Sequence, residues 1–486
     1  MGQSVSSYRS ARRSLPAKTA GDIIDSSSDL VHPPSPLSGL PVLKKAKGHY
    51  WYPSEGTRIL DACGGAGVAC LGHGRRDITK AVTAQMHSFT YASYAHFNTS
   101  PVQELSDWLI KSTGGKMQKV YVMCSGSEAM EAALKLAVEY FLWQNQPDRT
   151  NFIVREESYH GTTLGSLSAS GHVVRRAPFA PLLIPARFHR IPACNPYRQR
   201  LVSDSEFESD AAFVARKTAE LEAEFARLGP ETVAAVVLEP VVGAALGCVP
   251  AVKGYLAAVK AVCERHGALL ILDEVMCGMG RTGFLHAWQG EAREGDGSGP
   301  DDVVPDLQAI AKGFAGGYQP ASALLVGGKV AGVMEREGKV FTHGHTYQNH
   351  PVVAAAALAV QRVVEKEGLL KNVRVQGTLL ERLLKQRLGT HPNVGDIRGK
   401  GLFWGIEFVK DKLTKEPFDP ALGIAERVHK TAVREFRVLV YHGQGCAGGG
   451  RGDHIMVMPA YDISSKLVAE IVERVASAVE EVFRHL

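Results

Sequence analysis

Two residues in this chain carry types and positions suited to holding an organic cofactor. Asp273 follows the apolar run Leu269 to Leu272 in LLILDEVMCGMGRTG, and Lys312 follows Leu307 to Ala311 in QAIAKGFAGG. Short apolar runs of this kind read as buried strands. An ionised carboxylate at the end of such a strand is costly unless a cation or strong donor meets it. A lone lysine in a loop is usually a solvated charge. Placed at the start of a glycine-rich turn behind a buried strand, its amine is desolvated, its pKa falls, and it becomes a nucleophile toward a carbonyl.

Two loops extend the pattern. Cys124-Ser125-Gly126-Ser127-Glu128 joins a strand to a helix, where small residues let backbone N–H groups approach a phosphate. Ser127 serves equally as a plain helix N-cap. Ser158-Tyr159-His160-Gly161-Thr162-Thr163 offers Tyr159 for stacking on a planar ring, although Tyr159 and His160 would also simply cover the sheet edge. A phosphate, a ring, a protonated ring nitrogen facing Asp273 and an aldehyde on Lys312 together describe pyridoxal 5′-phosphate, whose ring is an electron sink.

The elements needed to position these groups are legible as alternating strands and helices between about 115 and 330. Expected strands are 119–124, 151–155, 234–239, 269–275, 307–311 and 321–326, with a helix over 127–141. This alternation predicts an α/β domain with a mainly parallel sheet and sites at the carboxyl ends of its strands. From 47 to 63, alternation predicts short strands joined by the turn Ser54-Glu55-Gly56. Residues 291–302 are polar and glycine-rich, a surface loop. Beyond about 366, strands at 401–409, 437–441 and 454–458 and helices at 420–435 and 465–483 predict a smaller α+β domain. The division expected is a flexible arm at 1–40, an N-terminal part of the small domain at 41–95, a large domain at 96–365 and the rest of the small domain at 366–486. Gly65-Ala66-Gly67 does not open a dinucleotide fingerprint, because Cys70 stands where its third glycine belongs.

Composition excludes several classes. With 486 residues, 45% hydrophobic and 22% charged, the chain has the make-up of a globular enzyme. Four of the five excess positive charges sit at Arg9, Arg12, Arg13 and Lys18, so the body is near neutral and no nucleic-acid partner is expected. The apolar run 352–360 is too short to span a bilayer. The eight cysteines contain no CxxC pair, so neither a disulfide framework nor a metal site is expected, and buried free thiols in a reducing compartment follow. The expected location is cytoplasmic. Two alternatives attach to the arm: Met1-Gly2-Gln3-Ser4-Val5-Ser6 fits a myristoylation pattern that would bring the chain to a membrane, and an acid-free, Arg- and Ser-rich segment fits a mitochondrial transit peptide.

The segments GSEAMEAALKLA, SYHGTTLGSLS, LEPVVG, LDEVMCGMGRTG, AIAKGFAGGYQP, GHTYQNHPVVAAAALA and IRGKGLFWGIEFV, in that order, resemble the successive motifs of class III pyridoxal-phosphate-dependent aminotransferases. The resemblance runs from about Gly48 to the C-terminus and implies fold type I and a homodimer with sites at the subunit interface. It implies Lys312 as the Schiff-base lysine, Asp273 on the pyridine nitrogen, and Gly126 and Ser127 on the phosphate with Thr346 from the partner. It further implies Tyr159 and Val275 on the two ring faces, Glu239 near the phenolic oxygen, and Arg398 on a substrate carboxylate. Tyr91, Tyr94 and Phe97 fall where it places a pocket wall.

Two positions depart from the family pattern. Met276 stands where many members have glutamine after Asp-Glu-Val. Ala244 stands where the ornithine and 4-aminobutyrate enzymes have a glutamate that closes over the arginine, which argues against those substrates. The expected reaction is ping-pong transfer of an amino group from an amino acid or amine to a 2-oxo acid. Decarboxylase, lyase or racemase chemistry on the same scaffold is the alternative, and a non-catalytic binding protein a more distant one.

Overall fold

The computed structural model describes residues 42–54, 56–203, 206–291 and 303–486. The N-terminal arm with its two targeting patterns, Glu55 of the expected turn and nearly all of the polar loop 291–302 lie outside them.

The middle of the molecule is a seven-stranded sheet in the order Met117–Met123, Ser322–Gly327, Leu307–Ile310, Leu269–Glu274, Val233–Leu238, Asn151–Arg155 and Phe188–Ile191. Leu269–Glu274 lies at its centre and pairs in parallel on both sides, with Asp273 opposite Ala309 and Leu272 opposite Leu238. Ser322–Gly327 runs antiparallel to both of its neighbours and departs from the parallel pattern. The cause is its short connection: residues 311–321 hold one 3₁₀ turn and a loop, whereas a parallel return needs a longer crossover, usually a helix.

Side-chain alternation along the central strand decides where its carboxylate goes. Leu269 and Ile271 join Met130, Ala133 and Ala137 of the helix Gly126–Trp143 in one core. Leu270 and Leu272 join Leu256 and Val259 of the helix Tyr255–Arg265 in another. With a period of two, Asp273 shares the face of the helix Gly126–Trp143, and Glu274 the opposite face. That helix opens with a capping box: Ser125 Oγ accepts from Glu128 N at 3.3 Å, and Glu128 accepts from Ser125 N at 2.8 Å. The N-cap is therefore Ser125, and Ser127 stands inside the first turn.

The N- and C-terminal segments share a core. Ile59–Asp61 pairs in parallel with Val438–Leu439, and Leu60, Leu71 and Ile78 pack with Val428, Ile471 and Val475. A second sheet orders Val394–Lys400, Phe403–Phe408, Asp453–Val457 and Tyr441–Gln444. The strand expected at 401–409 begins at Phe403, because Gly401 turns at φ +60° from Val394–Lys400. That preceding strand, VGDIRGK, lacks strand-like composition and escaped the sequence reading. No helix among the described residues is long and apolar enough to cross a membrane.

Buried Arg281 ties three segments together. It donates to the carbonyls of Leu402 at 3.1 Å, Pro459 at 2.6 Å and Gly67 at 3.3 Å. Its guanidinium lies 4.7 Å from the Tyr461 ring centroid. Arg281→Met would leave these buried carbonyls unpaired and should destabilise the fold by about 3 kcal/mol. A urea unfolding midpoint equal to that of the parent would contradict this.

Candidate active site

Loops at the carboxyl ends of the sheet strands enclose a cavity of about 250 Å³, lined in part by Gly126, Ser127, Tyr159, Glu239, Asp273, Val275 and Lys312. All seven were named from sequence. His160, Gly161, Ala66, Arg175, Ala244, Met276 and Tyr441 complete the lining. Thr346, Tyr91, Tyr94 and Arg398 do not line it.

Asp273 is buried and bonded on both oxygens. Oδ1 accepts from Val275 N at 3.0 Å, and Oδ2 lies 2.8 Å from His160 Nδ1. The histidine is itself buried and donates its backbone N–H to Ser170 Oγ at 2.8 Å, while its Nε2 has no partner among the described residues. His160 therefore orients the carboxylate rather than covering a sheet edge. Glu274, on the other face, accepts from Ala287 N at 2.6 Å and Trp288 N at 2.9 Å, fixing the loop that follows the strand. Burial raises the Glu274 pKa to about 7.

Lys312 opens a 3₁₀ turn, Lys312–Phe314, with φ +47°, a left-handed conformation that costs a non-glycine residue free energy. The surroundings hold it there. Gly316 N donates to the Lys312 carbonyl at 3.0 Å, and buried Gln361 Nε2 donates to the carbonyls of Gly313 at 2.9 Å and Phe314 at 2.7 Å. Burial lowers the amine pKa to about 8. Asp273 and Glu239 oppose that drop, and Arg175 and Arg281 reinforce it.

Glu239 accepts from Tyr159 N at 3.1 Å and Gly243 N at 2.9 Å, which fixes the loop carrying the aromatic ring. Burial, then the nearby Asp273 charge, raises its pKa. A carboxyl that gives up its charge this readily is suited to share a proton with a phenolic oxygen.

The remaining end of the cavity is built for close approach. A Cβ on Gly126 would fall 2.7 Å from Val275 Cγ1, and one on Gly161 would fall 2.7 Å from Ser127 Oγ. Ser127 Oγ accepts from Thr162 N at 3.0 Å at the mouth of an 18-residue helix. Side-chain-free backbone at a helix N-terminus fits a phosphate. Phosphate cradle, stacking tyrosine, buried carboxylate and desolvated lysine open to one space, so the residues present fit pyridoxal phosphate.

The other sequence-named residues lie elsewhere. Tyr91 OH donates to the Thr346 carbonyl at 3.1 Å, and both residues are exposed. Tyr94 and Phe97 are 52% and 68% exposed. Arg398 is only 8% exposed. It donates to Gly247 O at 3.0 Å, Asp396 at 3.1 Å, Leu246 O and buried Glu407. Glu407 sits on the neighbouring strand, where Arg398 is in register with Gly405. To reach a substrate, Arg398 would have to leave these partners. Ala244 puts a methyl group at the cavity wall, and Glu407 meets the arginine without it. Sequence reading missed Arg175 and Tyr441. Neither has a spacing signal, since VVRR and VLVY read as ordinary element residues.

Against this geometry, the family model "Aminotransferase class-III" matches residues 36–479. An aminotransferase of Gibberella zeae is 47% identical over 88% of this chain and 81% of its own. A thermostable (S)-enantioselective omega-transaminase from Thermomicrobium roseum superposes with TM-score 0.84 at 32% identity, covering 96% of this chain and 100% of its own. An amine transaminase from an uncultivated Pseudomonas species, solved with pyridoxal phosphate bound, gives TM-score 0.83 at 31% identity, covering 94% and 98%. The chain belongs to the class III aminotransferases and is a pyridoxal-phosphate-dependent transaminase of fold type I.

Proposed function

We propose that Lys312 and Asp273 carry amino-group transfer, in a ping-pong cycle, between an amino acid or amine donor and a 2-oxo acid. The observation that carries this reading is that both groups open to one cavity, with the lysine amine lowered to about 8. Bound pyridoxal phosphate supplies a ring that accepts the electron pair left when a bond at the substrate carbon breaks. Asp273, held by His160, keeps the ring nitrogen protonated. Lys312 Nζ takes a proton from one carbon and returns it to another, a task that favours a pKa near the working pH. Tyr159 and Val275 close on the two faces of the ring, and the N–H groups at Gly126 and Ser127 hold the phosphate. Glu239 faces the phenolic oxygen, without the glutamine donor that Met276 replaces.

The homodimer belongs to this reading. Tyr91, Tyr94, Phe97 and Tyr347 expose aromatic surface beside Thr346, a face suited to burial against a second copy. Thr346 then reaches the phosphate of the partner's site.

Three tests follow. Purified enzyme given amino donors with pyruvate or 2-oxoglutarate should transfer the amine, and Lys312→Ala should lower the rate about 10²- to 10⁴-fold; loss of carbon dioxide without transfer would contradict the reading. The rate at which cofactor-free protein captures pyridoxal phosphate should rise with pH and level off above about 8, because only the neutral Lys312 amine attacks. A flat profile from pH 6 to 10 would rule that out. Co-expressed Lys312→Ala and Thr346→Asp chains should regain activity in mixed dimers, since one site then holds both native residues. No activity above that of either variant alone would show that Thr346 does not serve across the interface.

A further inference from the structure

Once the residues assigned to the cofactor are set aside, the cavity wall consists of Ala66, Arg175, Ala244, Met276 and Tyr441. Three of these are apolar, and Arg175 is the one permanent charge among them. A transaminase must bind a carboxylate whenever a 2-oxo acid enters. Arg398 is buried and already faces Glu407 and Asp396.

Arg175 differs in each respect. It lies in the last turn of the short helix Val173–Arg176 and is accessible. Its guanidinium stacks 4.5 Å from the Tyr159 ring centroid, and Tyr441 lines the same cavity beside it. Among the described residues it forms no salt bridge. A guanidinium fixed by stacking keeps its planar fork oriented and its charge uncommitted. It also stands near enough to Lys312 to act on the amine electrostatically. The anchor is thus on the same ring that stacks on the cofactor.

We infer that Arg175, steadied by stacking on Tyr159, receives the substrate carboxylate in this enzyme, in the place that Arg398 would hold. The inference rests on the transaminase reading above. Two-pronged hydrogen bonding from the fork to the carboxylate fixes the acid against the cavity wall. Ala66, Ala244 and Met276 then face the rest of the substrate.

The test compares two amino acceptors on the holoenzyme: the better of pyruvate and 2-oxoglutarate, and a short aliphatic aldehyde that has no carboxylate. Arg175→Leu should raise the ratio of the acid KM to the aldehyde KM about 10- to 100-fold, the loss expected for a charge-assisted hydrogen-bonded pair. Arg175→Lys, which keeps the charge but not the fork, should recover part of it. Three outcomes would overturn the inference. The ratio could stay within twofold of the parent value. Pyridoxal phosphate affinity could fall with the ratio unmoved, which would make Arg175 a phosphate ligand. The rise could come from Arg398→Gln and not from Arg175→Leu. Failure of the underlying reading looks different: the parent enzyme would transfer no amine to either acceptor.

Discussion

The site depends on one carboxylate held at the end of the central strand. Asp273 is too buried to be solvated, and among the described residues its carboxylate is bonded by a backbone N–H and a histidine. Such a group is stable as an anion where a cation meets it. The sheet determines where that cation must be. Strand order puts Leu269–Glu274 in the middle, and alternation turns Asp273 toward the helix whose N-terminus is proposed to receive the phosphate. One flat molecule with a basic nitrogen at one end and a phosphate at the other spans that geometry.

Lys312 is the counterpart, and its position is costly in two ways. Its backbone is left-handed and its amine is desolvated. Gln361 offsets the first cost by bonding two carbonyls of the turn, from a helix that also packs into the core shared by the N- and C-terminal segments. The second cost is the chemistry itself, because an amine with a pKa near 8 is partly neutral under ordinary conditions. Arg281 ties the loop that follows the central strand to the N- and C-terminal segments, through the carbonyls of Gly67, Leu402 and Pro459.

Much of this was legible in the sequence because it is local. Apolar runs marked six of the seven strands of the large sheet to within about two residues, Phe188–Ile191 going unmarked, and the loops following them contained most of the cavity-lining residues. What was not legible is non-local or compositional. The strand VGDIRGK has two glycines and three charges, so no pattern announced it, and with it went the pairing of Arg398 with Glu407 across the hairpin. The reversed strand followed from the length of a turn. His160 looked like a surface residue because its partner, Asp273, is far away in sequence. Arg175 carried no motif; only the fold brings it over Tyr159.

The claim that everything else hangs on is that Asp273 keeps the cofactor ring protonated. Reconstitution with pyridoxal phosphate labelled with ¹⁵N in the ring, followed by NMR, reads that proton directly. The ring nitrogen should resonate as protonated at neutral and mildly alkaline pH, and as unprotonated in Asp273→Ala. A parent enzyme whose bound ring nitrogen is unprotonated at neutral pH would contradict the account.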